Sequence, residues 1–204
     1  MKKTIIVLGV ITAGLISLIA CTNGANQATG EVVISQDSLI NRGKYLVNAI
    51  GCDDCHSPKV WTDHGPQVDM ENRFGGHPSG TPIGAVNANT LKDWVLFSPG
   101  LTAFVGPWGV SYAANISGDD TGIGNWTEEQ FFRAIREGKS NGLKEARPLL
   151  PPMPWEVYRN LSDVDLKSIY LYLKSTKPVN NRVPGAKSLE EVGSGLATAS
   201  HKTP

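Results

Sequence analysis

The apolar positions change character several times along the chain. Thr4 to Ala20 is one uncharged run of 17 residues, marginal for crossing a bilayer. Thr22 to about Val33 is small and polar, which reads as a flexible spacer. From Ser38, the residues Ile40, Tyr45, Leu46, Val47 and Ile50 fall mostly at helical spacings until Gly51, and predict a helix over about 38–50. Residues 57–126 are dense in Gly, Pro and Trp with little helical period. Two strand-like runs, Trp94–Phe97 and Leu101–Val105, flank Ser98-Pro99-Gly100 and predict a small hairpin, with a further strand within Trp108–Ile116. Thr127-Glu128-Glu129-Gln130 is a capping box ahead of Phe131, Ala134 and Ile135, so a helix is expected over about 127–137. Ser162 caps another, in which Leu166, Ile169, Tyr170 and Leu173 form one face until Pro178 ends the pattern. From Asn180 onward the composition turns to Gly, Ser, Ala and Thr, and residues 181–204 read as a frayed tail.

The start of the chain adds an address. Met1-Lys2-Lys3 followed by the uncharged run resembles the basic and apolar parts of an export signal. The run ends in Leu18-Ile19-Ala20-Cys21, which resembles the lipobox of bacterial lipoproteins, with Cys21 the residue that takes the lipid. The expected division is a signal peptide over 1–20, a linker over 21–34, a domain over 35–180 and the tail. An uncleaved transmembrane anchor is the competing reading, and either one tethers a domain outside the cytoplasmic membrane, on the periplasmic side of a bacterial cell. Without Lys2 and Lys3, 17 basic residues face 19 acidic ones. That balance excludes nucleic acid as an expected partner, since such binding needs a strong basic field.

Cys52 and Cys55 are the other two of the three cysteines. They stand in Cys52-Asp53-Asp54-Cys55-His56, the C-x-x-C-H haem-attachment pattern. On a helical turn, positions three and four apart share a face, so both thiols and the imidazole point the same way. The thiols can then add across the two vinyl groups on one edge of a haem, while the imidazole meets the iron. A thioredoxin-like pair would need a strand before Cys52 and a helix beginning there, whereas here a helix ends just ahead of it. Zinc would need a second ligand pair, and His64, His77 and His201 provide none at standard spacing. A structural disulfide explains neither the histidine nor its place.

A haem iron wants a sixth ligand if it is to change oxidation state without binding substrate. Met153, in Pro151-Pro152-Met153-Pro154, lies in a segment too rich in proline to be helical and with few backbone states to lose. Met153 filling a core gap is the alternative, and Met70, in polar surroundings, is the other methionine available. Gly118-Asp119-Asp120-Thr121-Gly122 lacks the spacing of a calcium loop and reads as a turn. The basic residues Arg133, Arg136, Lys139, Lys144 and Arg147 are interleaved with glutamates and read as solvated surface.

These residues together resemble a single-haem cytochrome c of the kind found alone or as electron-accepting modules of bacterial alcohol and sugar-acid dehydrogenases. Arg42-Gly43-Lys44-Tyr45-Leu46-Val47 resembles that family's entry helix. Asn115-Ile116-Ser117 through Thr121-Gly122-Ile123-Gly124-Asn125-Trp126-Thr127 resembles its middle motif. Met153-Pro154-Trp155, Tyr158, Leu161-Ser162-Asp163 and Tyr172-Leu173 resemble its axial-methionine segment and closing helix. The resemblance implies a mainly α, cytochrome c-like fold with crossed first and last helices, and a long loop or β-hairpin insertion between the haem motif and the axial methionine. It implies one covalent haem c with iron held by His56 and Met153, and no catalytic residue. The expected role is electron transfer with a dehydrogenase, an oxidase or another cytochrome as redox partner. With the helices crossed, Gly43 is expected to mark a close contact with the face bearing Tyr170 and Leu173. A haem sensor or enzyme with an open coordination position is the alternative, should Met153 pack instead of ligating.

Overall fold

Three serine or threonine hydroxyls set the starts of the main helices. A computed structural model describes residues 34–87 and 89–191; Cys21 and the expected signal, and His201 in the expected tail, lie outside the described residues. Helix α1 spans Gln36–Ala49 and is capped by Ser35, whose hydroxyl accepts from the Ser38 amide at 3.2 Å, so it begins two residues ahead of the expected start. Helix α2 is the single turn and a half Cys52–His56. Helix α3, Glu128–Arg136, is capped by Thr127, which accepts from the Gln130 amide at 3.1 Å. Only half of the expected box forms, because the Gln130 side-chain amide donates to Asn141 O instead. A short helix α4, Trp155–Tyr158, follows, and α5, Asp163–Lys174, is capped by Ser162 through the Asp165 amide at 3.1 Å.

Helices α1 and α5 pack closely because α1 carries no side chain at Gly43. A Cβ there would lie 1.9 Å from Ser168 O and 2.8 Å from Tyr172 Cβ. The nearest atoms to a Cβ at Gly43 belong to Ser168 and Tyr172, four residues apart on α5, and not to the expected Tyr170 and Leu173; Tyr172, Tyr170 and Leu173 all lie in the core cluster. The obstacle is main chain, which cannot rotate away. Gly43→Val is thus expected to cost at least about 1–3 kcal/mol. The matching Gly43→Ala should also destabilise, despite the roughly 1 kcal/mol that alanine gains in an open helix. Chemical denaturation of both variants checks this, and an unchanged midpoint for each would remove the contact.

Around this crossing lies the main core of Val47, Phe74, Ile123, Phe131, Leu166, Ile169, Tyr170, Tyr172 and Leu173. More than half of these side chains come from α5, which is why the pattern of that helix is so legible. A second, smaller cluster of Val86, Leu91, Val105 and Val110 forms within the insertion.

The insertion is more regular than its composition suggests. Strands β3 (Leu96–Phe97), β4 (Ala103–Gly106) and β5 (Gly109–Tyr112) form one antiparallel sheet in that order, with Leu96 opposite Val105 and Val105 opposite Val110. This is the expected hairpin extended by a third strand. A separate hairpin, β1 (Lys59–Thr62) with β2 (Gly65–Val68), has no counterpart in the sequence reading. Val60 and Trp61 are both exposed although they are consecutive, so neither face is buried and no alternating pattern marks the strands. The described fold is therefore helix-rich with two small sheets, and only in part the mainly α fold expected.

The structure also differs beyond the end of α5, where Asn181 and Lys187 bond to the domain. Asn181 donates through its side chain to Gly75 O at 2.7 Å and His77 O at 2.8 Å, and accepts from the Ser79 amide at 3.0 Å. Lys187 exchanges both main-chain bonds with Val110. Composition suggests a tail over 181–204 because small polar residues carry no periodic signal. Side-chain amides and an edge strand hold its first part regardless.

Candidate cofactor site

The two thiols and the imidazole are placed by a break between two helices. Gly51 has φ +75°, a left-handed conformation that lets the chain leave α1 and start α2 one residue later. A Cβ at Gly51 would also come within 2.6 Å of Asp54 Oδ2. Cys52, Cys55 and His56 then occupy positions i, i+3 and i+4 of α2, so they share a face as the spacing required. A helix does begin at Cys52, but an α-helix and not a strand precedes it.

Both thiols are free. Burial, reinforced by the Asp53 charge, pushes the Cys52 thiol up to about 12, and burial raises Cys55 as well. A redox dithiol needs an attacking thiolate with a lowered pKa, so this pair is unsuited to disulfide exchange.

His56 is oriented by one bond. Its Nδ1 lies 2.8 Å from Ala114 O, and because a carbonyl can only accept, Nδ1 carries the hydrogen. The lone pair of the neutral ring is then on Nε2, the atom that can ligate iron. Burial lowers the imidazole pKa and the Ala114 bond opposes that shift, with the net direction downward. The donor set therefore fits a c-type haem: two unpaired thiols and a neutral imidazole with one nitrogen committed to the protein.

Ala114 is itself held from both sides. Phe74 O accepts from the Ile116 amide at 2.8 Å, Ala113 O accepts from the His77 amide at 2.9 Å, and His56 O accepts from the Gly76 amide at 2.8 Å. Residues 113–116 thus form a strap across 74–77. Asn115, from the motif singled out in the sequence, fastens the strap to Val179 O at 2.7 Å and Thr121 Oγ1 at 3.1 Å. Asp119 accepts from the Thr121 amide and hydroxyl, so this stretch is the expected turn.

The haem motif has a clamp of its own. Arg73 grips Asp53 with Nε at 2.9 Å and Nη2 at 2.5 Å, and also donates to Asn48 at 2.7 Å. Ser57 donates to Asp53 at 2.7 Å and accepts from the Phe74 amide at 2.9 Å. Burial alone would raise the Asp53 carboxyl, but the Arg73 and Ser57 bonds outweigh it and hold the group below its usual range. Sequence reasoning missed Arg73 and Ala114. Asp53 between the cysteines was a charge in search of a partner, but nothing in spacing indicated Arg73, and a backbone acceptor has no side-chain signature at all.

Met153 is partly buried, in a turn between two anchors. Two residues before it, Pro151 O accepts from the Ser111 hydroxyl at 2.6 Å, on the strand that leads into Ala114. Five residues after it, the Tyr158 hydroxyl donates to Ile50 O at 3.2 Å, next to the break that starts α2. Burial raises the Tyr158 phenol pKa, and Cys52 and Cys55 add to the shift. The Met153 segment is thus tied on both sides to parts of the chain that border the C-x-x-C-H turn. Met70 is 65% exposed on the surface. His64 is exposed at the tip of the β1–β2 hairpin. His77 is 1% exposed, and both its ring nitrogens are engaged: Nε2 donates to Thr81 O at 3.0 Å and Nδ1 pairs with Thr102 Oγ1 at 2.9 Å. A cavity of about 550 Å³ in the insertion is lined by Ile83, Val86, Leu96 and Val105 among others, and none of the candidate haem residues borders it.

No known family profile matches the chain. It is similar to cytochrome c subunits of bacterial dehydrogenases. One is the gluconate 2-dehydrogenase cytochrome c subunit of Pantoea cypripedii, 32% identical over 68% of this chain and 23% of that protein. The fructose dehydrogenase cytochrome subunit of Gluconobacter japonicus is 31% identical over 82% of the chain and 28% of its own length. The cytochrome c subunit of the quinone-dependent alcohol dehydrogenase of Gluconobacter oxydans is 28% identical over 84% of the chain and 28% of that protein. These similarities support a cytochrome c-like module. The chain spans less than a third of the length of each of these curated relatives.

Proposed function

We propose that the chain binds one haem c covalently through Cys52 and Cys55, with His56 and Met153 as axial ligands, and passes electrons between a dehydrogenase and a downstream acceptor. The observation that carries this reading is the His56 bond to Ala114 O, at 2.8 Å, on the same short helix that presents two free thiols. When bound, the haem supplies a one-electron couple. The protein's part is to hold His56 neutral and fixed, to keep the turn rigid through Asp53 and Arg73, and to keep Met153 between the Ser111 and Tyr158 anchors. A filled sixth position favours a carrier over a gas sensor or a substrate-binding enzyme. Isolation from native membranes under mild detergent should bring a dehydrogenase down with the protein, and substrate of that dehydrogenase should reduce the haem. A haem that stays oxidised in such preparations while dithionite reduces it would remove the dehydrogenase as donor.

We place the protein at the outer face of the cytoplasmic membrane or beyond, anchored through lipid on Cys21. No helix among the described residues is long and apolar enough to cross a membrane, and the run Thr4–Ala20 is the one long apolar stretch in the sequence. Cys21→Ser is therefore expected to abolish lipid labelling of the protein. Labelled lipid on the variant would refute the assignment, whereas an unlabelled variant that keeps residues 1–20 and stays on the membrane in alkaline wash would point to the transmembrane anchor.

A further inference from the structure

Lys59 lies three residues beyond His56, and its ammonium is turned back into the haem-attachment turn. Its Nζ lies 2.8 Å from Asp53 O, 3.1 Å from Asp54 O and 2.5 Å from Ser57 O. Three carbonyl acceptors around one nitrogen require three N–H donors, so the group is there as the cation. Two of the carbonyls belong to α2, whose last carbonyls have no partner within so short a helix. Burial lowers the pKa of this ammonium, and the Asp54 and Asp53 carboxylates act against that shift. Asp53 is already paired with Arg73, and Asp54 is exposed, where water and salt weaken its hold on Lys59.

Resting on the haem reading above, we infer that Lys59 is a positioning residue that fixes one positive charge beside the haem-attachment turn and so raises the reduction potential of the bound iron. Ferrous iron carries one positive charge fewer than ferric, so a fixed cation nearby favours the reduced state. The same bonds tie the charge to the turn that would carry the haem.

Charge and capping separate in three variants. Lys59→Arg keeps the cation and the donors, Lys59→Gln keeps donors and loses the charge, and Lys59→Met loses both. Potentiometric titration of each holoprotein is expected to show a fall in midpoint potential for Gln and for Met, with Arg close to wild type. Ferrous absorption maxima and the two thioether bonds should be unchanged in all three. Equal potentials throughout would overturn the inference. So would a fall in Met that Gln restores, since that assigns Lys59 to capping alone, and so would failure of both neutral variants to acquire haem while Arg acquires it, since that assigns Lys59 to attachment. Wild-type protein lacking covalent haem would instead overturn the haem reading itself, before any variant is compared.

Discussion

Replacing Met153 with alanine is expected to lower the reduction potential, abolish the weak red charge-transfer band of ferric Met–His haem, and let carbon monoxide bind the ferrous protein readily. A neutral, polarizable thioether favours ferrous over ferric iron, so its loss shifts the couple toward the oxidised state. Methionine also closes the iron to small molecules, and alanine has no atom that can. From the sequence, no neighbouring side chain is expected to swing cleanly into the gap, and His77, in a long Gly-rich segment that could move, is the first replacement to check. The structure removes that option: His77 is buried, with Thr81 and Thr102 on its two nitrogens and its ring 4.8 Å from that of Tyr112. The variant should therefore keep an open or water-bound position, and a histidine-like spectrum is not expected. Wild-type protein that already binds carbon monoxide rapidly, or lacks the red band, would rule out Met153 and favour the sensor or enzyme reading.

The second large effect concerns attachment. Wild-type protein denatured and extracted with acidic acetone is expected to retain all its haem, because thioether bonds survive where coordination does not. Cys52→Ser and Cys55→Ser should each leave one thioether. The double variant should leave none, and should release any haem that it binds. The protein mass read by intact mass spectrometry checks the first point, and the position of the pyridine haemochrome band counts the thioethers. Haem lost from the denatured wild type would refute covalent binding. Two thioethers persisting in either single variant would refute the replaced cysteine as an attachment site.

Much of this was legible without coordinates. Hydroxyl residues ahead of a periodic apolar run marked the starts of α3 and α5 to within a residue, because capping is a local bond between neighbours in sequence. The start of α1 was misplaced by two residues because Ser35 and Ser38 are both possible caps, and the choice lies in the backbone of Ser35. The shared face of Cys52, Cys55 and His56 follows from helical geometry alone.

What the chain by itself determined, then, is the set of groups able to hold a haem and the helices near them. Only the tertiary structure decided what surrounds those groups. Periodicity says which face of α5 is apolar, but Gly43 meets Ser168 and Tyr172 because a missing Cβ lets main chain approach main chain, and that depends on the crossing of two helices. The His56 acceptor is a carbonyl, which every residue carries, so no residue type at position 114 could have announced it. Arg73 and Lys59 were ordinary basic residues in the sequence. Arg73 came to matter when the insertion folded back onto the Asp53 carboxylate, and Lys59 when the backbone just after His56 turned its ammonium onto three nearby carbonyls, which its residue type alone does not announce.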